Sequence, residues 1–333
     1  MLPSLSGKIK TALRVFELIL TLFIAIVAYN FLLPIGPSGK FVYFQANDAE
    51  TLLQTLRKNG YHVYGFESLL IDTRKLPLKG WYEIANTDLG RYRFFQNIDA
   101  LPARTMRIKI YAAETHRELL RRLAKDMKLD IEKLSKYYQQ LQRFGEGDII
   151  AGTYELPRKA DENTAITFLF EQSKAHIEAF KKKRYVRKLD DDTLKLLLTI
   201  ASIIQKETNR IEEMPLISSI IYNRLERDMK LQMDGTLNYG EFSHRIVTAE
   251  RIRNDESFYN TYKYKGLPPA PLGSVSLEAL DAAMFPAQSD YLFFMLKKGG
   301  SHAFSKTYKE HLNHIKAFKA HLAKRKREKS QKK

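Results

Sequence analysis

Residues 193–240 read TLKLLLTIASIIQKETNRIEEMPLISSIIYNRLERDMKLQMDGTLNYG, and the fold turns on how this stretch is understood. Leu196, Ile200, Ile203 and Ile204 recur at helical spacing, and position 207 falls next on the same stripe. That position is Glu207. Burial disfavours the charged form of a carboxyl, so an acid on the apolar edge of a helix is costly unless it is used. The competing reading is an ordinary acid in a fraying last turn. Lys195, Ser202, Lys206 and Asn209 fall on the other side, where water is expected. A second helix follows, with Pro215 suited to its first turn and Ile217, Ile220, Ile221 and Leu225 as its apolar face. The pattern then collapses into the polar loop Leu231–Gly240. A helix carrying one misplaced acid, a partner helix and a polar loop describe a cleft.

Working outward, the 333 residues have room for two modest domains plus extras, and 44% hydrophobic content supports a real core. The chain has no cysteine, which removes disulfides, thiolate nucleophiles and thiolate metal sites together. Net charge is +17, a surplus suited to an anionic partner such as nucleic acid, phospholipid head groups or an acidic wall polymer. Part of that charge sits in the last residues, LAKRKREKSQKK, read as a solvated basic tail over 319–333.

The N-terminal end holds the run LILTLFIAIVAYNFLL from Leu18 to Leu33, without a charge. Extended over 18–36, it is long enough to cross hydrocarbon as a helix. Lys8, Lys10 and Arg14 precede it and assign the arm 1–17 to the cytoplasm. A cleavable signal peptide is the alternative, but the run is long and no A-x-A-like site follows. A buried core helix is a second alternative, which the basic flank opposes. An uncleaved single-pass anchor places everything after residue 40 outside the cytoplasm, and nucleic acid drops out as a partner.

Between residues 40 and 188 the chain echoes itself. Phe41–Gln45 reads as a strand followed by a helix with Leu52, Leu53 and Leu56; Met106–Tyr111 reads as a strand followed by a helix with Leu119, Leu120 and Leu123. Each unit reaches a turn of the form Gly-x-Tyr-Glu, at Gly80 and again at Gly152. Duplicated small α/β modules explain this. The aromatic residues beside those turns are candidates for stacking on sugars, or half-buried packing residues. A basic connector, His176–Lys188, leads to a boundary near residue 188, and 189–318 forms the second domain.

Taken together, the C-terminal blocks resemble the YceG-like endolytic murein transglycosylases, the MltG family. The blocks are ASIIQKET (201–208), PLISSIIYNRL (215–225), LQMDGTLNYG (231–240), YNTYKYKGLPPAPL (259–272), AAMFP (282–286), YLFF (291–294) and GGSHAFSKTYKEH (299–311). Residues 40–160 are similar to the family's membrane-proximal, LysM-like region, through Glu146-Gly147 and Gly152-Thr-Tyr-Glu. The resemblance implies an α+β protein: a transmembrane helix, small LysM-like modules and a YceG-like catalytic domain. It implies a lyase that cleaves the MurNAc-β-1,4-GlcNAc bond of peptidoglycan without water, leaving 1,6-anhydro ends. The family's catalytic acid maps to Glu207. Three departures stand out: Gln205 where the family usually has Glu, Ala270 after Pro268-Pro269, and Ala151-Gly152 for Pro-Asp.

That chemistry requires one carboxyl that gives and then takes a proton, best with a pKa near neutrality. A hydrolase would want a second carboxylate, for which Asp234 is the candidate; its alternative role is an Asx-type turn before Gly235. Gln232, Thr236, Asn260 and Tyr262 are candidate substrate-lining residues. His302 and His311 do not make a helical metal pair, so neither metal nor cofactor is expected. Glycan strands, lipid of the inner membrane and peptidoglycan synthases are the partners to consider. Two alternatives remain: a catalytically silent, membrane-tethered peptidoglycan-binding protein, and a muramidase that admits water.

Overall fold

The computed structural model describes residues 7–33, 35–45, 48–85, 87–88, 90–98, 102–184, 189–297 and 299–330. The expected boundary at residue 188 lies outside the described residues. The chain forms two compact units: one comprises residues up to Met106 with Glu155–Ala160, the other Arg107–Tyr154 with Asp161 onward.

In the first unit, α1 (Gly7–Phe31) is exposed from Ile9 to Val27 and half-buried at Ala28–Asn30, and over Ile9–Phe31 it is long and apolar enough to cross a membrane. It starts well before Leu18, so Lys10 and Arg14 ride on the helix rather than on an arm. It also stops short of residue 36, ahead of Gly36 and Pro37. Strands β1 (Lys40–Phe44) and β2 (Gly80–Ile84) pair antiparallel, from Lys40 opposite Ile84 to Phe44 opposite Gly80. Helix α2 (Ala49–Lys58) begins where Asp48 caps the Thr51 N–H, and it lays Leu52, Leu53 and Leu56 on the sheet. The short α3 (Arg91–Gln96) adds Phe94 and Phe95 to that core.

Next come β3 (Thr105–Ile110), α4 (His116–Met127), α5 (Ile131–Leu141) and β4 (Gly152–Pro157), the two strands pairing with each other; all but the start of β3 and the end of β4 belongs to the second unit. A capping box starts α4, with Thr115 and Glu118 satisfying each other's backbone N–H groups. The Gly-x-Tyr-Glu pieces expected to be turns are therefore strands, β2 and β4. Their tyrosines, Tyr82 and Tyr154, are buried, which leaves packing as their role. After α6 (Glu162–Lys183) come α7 (Asp191–Glu207), α8 (Met214–Glu226), α9 (Ala249–Asn254) and α10 (Leu277–Met284). The hairpin of β5 (Phe293–Leu296) and β6 (His302–Ser305) follows, then α11 (Tyr308–Ser330). The tail is thus helical as far as Ser330.

The core of this unit is built on α7, α8 and α10 through Ile200, Ile203, Ile204, Ile217, Ile220, Ile221, Leu280 and Ala283. Asp190 caps α7, and Asp191 and Asp192 suit the positive end of its dipole. Because α7 is enclosed from Thr199 to Gln205 on every side, it does not carry a simple stripe. Leu196 is 47% exposed, and Ser202, expected on the wet side, is buried. Ser202 is satisfied by donating to Thr199 O and accepting from the Leu272 N–H. The β3–β4 module is joined to this core by backbone hydrogen bonds: Ala113 N–H to Ser274 O, Ser274 N–H to Glu114 O, and Ala151 N–H to Val275 O.

Candidate active site

Helix α7 ends at Glu207 because Thr208 turns to extended backbone while its N–H still reaches Ile204 O. The carboxyl therefore stands at the helix end, half-buried, facing the 3₁₀ turn Asp234–Leu237. Oε1 of Glu207 accepts the Gly235 N–H at 2.9 Å. Glycine suits that approach, since a β-carbon on residue 235 would stand 2.8 Å from the same oxygen. Burial pushes the Glu207 carboxyl up to about 7; the Gly235 N–H opposes this, the Asp234 charge adds to it, and Arg224 pulls down.

Asp234 is exposed and accepts the phenolic O–H of Tyr262 on Oδ1 at 2.6 Å. Burial and that carboxylate together raise the Tyr262 phenol far above its ordinary value. Glu207, Asp234 and Tyr262 thus form one electrostatic group. Gln232 is exposed beside it, in a left-handed conformation, its N–H held by Thr261 O at 3.1 Å.

Thr236 and Asn260 do not serve as expected. Both are fully buried. The Thr236 hydroxyl donates to Met233 O and meets Thr261 Oγ1, while the Asn260 amide donates to Ile252 O and Asp255 O. Their polarity holds the loop together, because backbone groups buried in an irregular segment must find partners. Neither has surface to offer a ligand.

Three further residues stand beside the site, and of these Arg224 was not singled out from sequence. Arg224 lies buried in α8, its Nε on Leu292 O at 2.7 Å and Nη1 on Leu231 O, and supplies the positive charge that acts on Glu207. It falls three residues after Ile221 and four after Ile220, on an apolar stripe, so the reasoning that found Glu207 would have found it too. Lys206 turns from the site and donates to Ala113 O at 2.9 Å and Ser243 Oγ at 3.1 Å, with its amine lowered by burial. Gln205, the departure from the family's usual Glu, is buried; its Oε1 accepts the Ser276 hydroxyl at 2.8 Å at the start of α10, and its Nε2 donates to Asn209.

The histidines are structural here. His302 pairs with Glu213 at 2.7 Å, and His311 stacks on Phe293. Among the described residues no three His, Asp or Glu side chains gather so as to hold a metal ion.

The fold and the site together define a protein with one protonatable glutamate at the end of a central helix, faced by a tyrosine-bound aspartate. The sequence pattern of the YceG-like family matches residues 45–317, and the chain belongs to that family. It is similar to an endolytic murein transglycosylase of Bacillus subtilis, 33% identical over 168 residues, covering 50% of this chain and 46% of that protein. It is likewise similar to an endolytic murein transglycosylase of Streptococcus pneumoniae, 35% identical over 156 residues, covering 45% and 28%. The chain thus spans less than half the length of these curated relatives. A solved YceG-like protein of Listeria monocytogenes has the same fold, with a TM-score of 0.53 and 24% identity, over 82% of this chain and 98% of that one.

Proposed function

We propose that this protein is a membrane-anchored peptidoglycan lytic transglycosylase in which Glu207 is the sole general acid and base. The observation that carries the reading is the state of that carboxyl: half-buried, raised to about 7, with Oε1 pinned by the Gly235 N–H. Oε1 is therefore an acceptor, and Oε2 is the oxygen that holds the proton. Oε2 protonates the glycosidic oxygen between MurNAc and GlcNAc as the bond to C1 breaks. The resulting carboxylate then takes the proton of the C6 hydroxyl as O6 closes on C1. The glycan is left with a 1,6-anhydro end, no water is consumed, and Glu207 returns to its starting form. A group near neutrality suits both halves.

Hydrolysis of the same bond employs a second carboxylate as base or nucleophile. Tyr262 occupies Oδ1 of Asp234, which supports a positioning role for that residue and ranks the muramidase reading second. The names of the relatives support murein as substrate. Cutting inside new strands, this activity would end or trim their elongation, with peptidoglycan synthases as partners.

The anchor in this proposal is α1, single-pass in the cytoplasmic (inner) membrane, with the basic N-terminal residues inside and the remainder outside. The strand–helix–helix–strand order of β3–α4–α5–β4 supports a LysM-like, glycan-holding role for that module. The test is digestion of purified sacculi by the detergent-solubilised chain, with the released fragments weighed by mass spectrometry. Anhydro-muropeptides support the proposal; reducing ends establish the muramidase, and no product leaves the binding protein.

A further inference from the structure

The last turns of α1 and the 3₁₀ turn Gly65–Leu70 wall an open groove of about 670 Å³. Ala25, Ile26, Phe31, Phe66, Leu69 and Tyr92 line it. Leu69 is 86% exposed, and Tyr64, Phe66 and Tyr92 are each about half exposed. A little further on, Leu78 is 70% exposed in the sequence Lys75-Leu-Pro-Leu-Lys79. Contiguous apolar surface of this kind marks an interaction site in a folded domain.

The position of this face against α1 is fixed by polar contacts. Tyr29 of α1 donates to Glu67, which pairs with the buried Arg91, and the Arg91 guanidinium lies 4.4 Å over the Tyr29 ring. One residue on in both segments, the Tyr92 N–H donates to Asn30 Oδ1 at 2.8 Å. The turns of α1 that form one wall of the groove are therefore held against the module that forms the other.

We propose that this face is a lipid-contact surface. The module lies on the bilayer at the C-terminal end of α1, an acyl chain fills the groove beside Phe66 and Leu69, and Tyr64 and Tyr92 sit at head-group level. The proposal rests on α1 crossing the membrane. The helix Ile9–Phe31 has 23 residues, about 35 Å at ~1.5 Å per residue. Its charges Lys10, Arg14 and Glu17 are confined to the first turns, where they reach back to the head groups. Against a hydrocarbon layer of about 30 Å, its uncharged end, Phe31, comes to the opposite edge. Any lipid packed on Ala25–Phe31 then meets Phe66 and Leu69 as well, and no water competes for the groove at that depth. Tyrosines suit the interface by having an apolar body and a polar tip. Lys75 and Lys79, flanking Leu78, suit the phosphates of the head groups.

The absence of cysteine makes the test direct. The full chain is reconstituted in vesicles of phosphatidylethanolamine and phosphatidylglycerol, carrying a nitroxide on Leu69→Cys, on Phe23→Cys within α1, or on Phe258→Cys, an exposed position in the second unit. Relaxation by oxygen should exceed relaxation by a nickel chelate at 69 and 23, with the reverse at 258. A label at 69 that responds to nickel while 23 responds to oxygen overturns the lipid-contact surface but leaves the anchor intact. A nickel response at 23 removes the anchor, and the proposal with it.

Discussion

Tyr262 donates its phenolic O–H to Oδ1 of Asp234 across 2.6 Å, and through Asp234 it reaches Glu207, whose proton affinity that aspartate raises. Two exposed or half-exposed side chains thereby adjust a group they need not touch. Asp234→Asn removes the charge, so the Glu207 carboxyl falls below about 7. Because Glu207 must begin protonated, turnover is full below its pKa and declines roughly tenfold per pH unit above it. The alkaline limb of the pH–rate profile should move to lower pH in Asp234→Asn, with activity at the optimum reduced about tenfold or less. Abolition of product at every pH would make Asp234 a chemical participant and favour hydrolysis. Tyr262→Phe leaves the aspartate's charge in place and unshared, so its limb should move to higher pH.

Glu207→Gln should lower anhydro-muropeptide release by ~10² to 10⁴, since the amide can neither give nor take the proton. The same substitution should stabilise the protein above neutrality. Burial raises the folded pKa from 4.5 to about 7, so across that interval the native state keeps a proton that the unfolded chain gives up. Stability therefore declines as pH rises through the interval and is level above it. Glutamine carries no charge to bury. At pH 8 the variant should be more stable by about 2 kcal/mol, less than the full shift implies because the carboxyl is partly open to solvent. Near pH 4 the difference should vanish. Thermal unfolding of the solubilised chain at both pH values checks this.

The elements of the fold were legible where one face of a segment is wet, and poorly legible where none is. The strand and helix of each N-terminal module follow from alternation and from Leu52-Leu53-Leu56 or Leu119-Leu120-Leu123, because each of those helices buries one face only. Helix α7 is different. Enclosed by α8 and α10, it buries Ser202 and Gln205 along with its isoleucines, so the stripe holds at Ile200, Ile203 and Ile204, fails at Leu196, and describes only part of what is buried. Glu207 was still found, since the acid is at the helix end where α7 emerges from its neighbours. Thr236 and Asn260 looked like ligand groups because their loop is polar. Sequence gives the polarity but not the direction, and these two spend theirs on backbone. The Gly235 N–H left no signal beyond a turn glycine.

Gln205 tests the departure from the family's usual glutamate. Its Oε1 takes the Ser276 hydroxyl that begins α10, and its Nε2 gives a bond to Asn209. Gln205→Ala removes the buried amide's bonds to half-buried Ser276 and exposed Asn209 and, at about 0.5–1.5 kcal/mol per bond, should cost about 1–3 kcal/mol. Gln205→Glu keeps the acceptor toward Ser276 and loses the bond to Asn209 and a long one to Thr208 O, and a carboxylate suits the N-terminus of α10. It should remain folded, with anhydro product within a few-fold of the parent. A large gain in activity from Gln205→Glu would assign chemistry to position 205 and weaken the case for Glu207 acting alone.

At Gly273 the segment leading into α10 runs close against Ala113–Glu114, between β3 and α4. The Ala113 N–H gives to Ser274 O and the Ser274 N–H gives to Glu114 O, both at 2.7 Å, on either side of a residue with no side chain. A β-carbon at 273 would stand 2.8 Å from Glu114 O and 3.0 Å from Ala113 O. Both are backbone atoms, so the contact cannot be relieved by a rotamer change. Gly273→Ala must push the two segments apart, at about 1–3 kcal/mol by analogy with overpacked cores. The displacement should also reach the site, because Ala113 O is the acceptor that holds the Lys206 amine at 2.9 Å, next to Glu207. The expected result is faster amide exchange at Ala113 and Ser274, a lowered melting temperature, and a kcat reduced more than KM is raised. Unchanged exchange at those two amides would mean that the module is held to the core by other contacts.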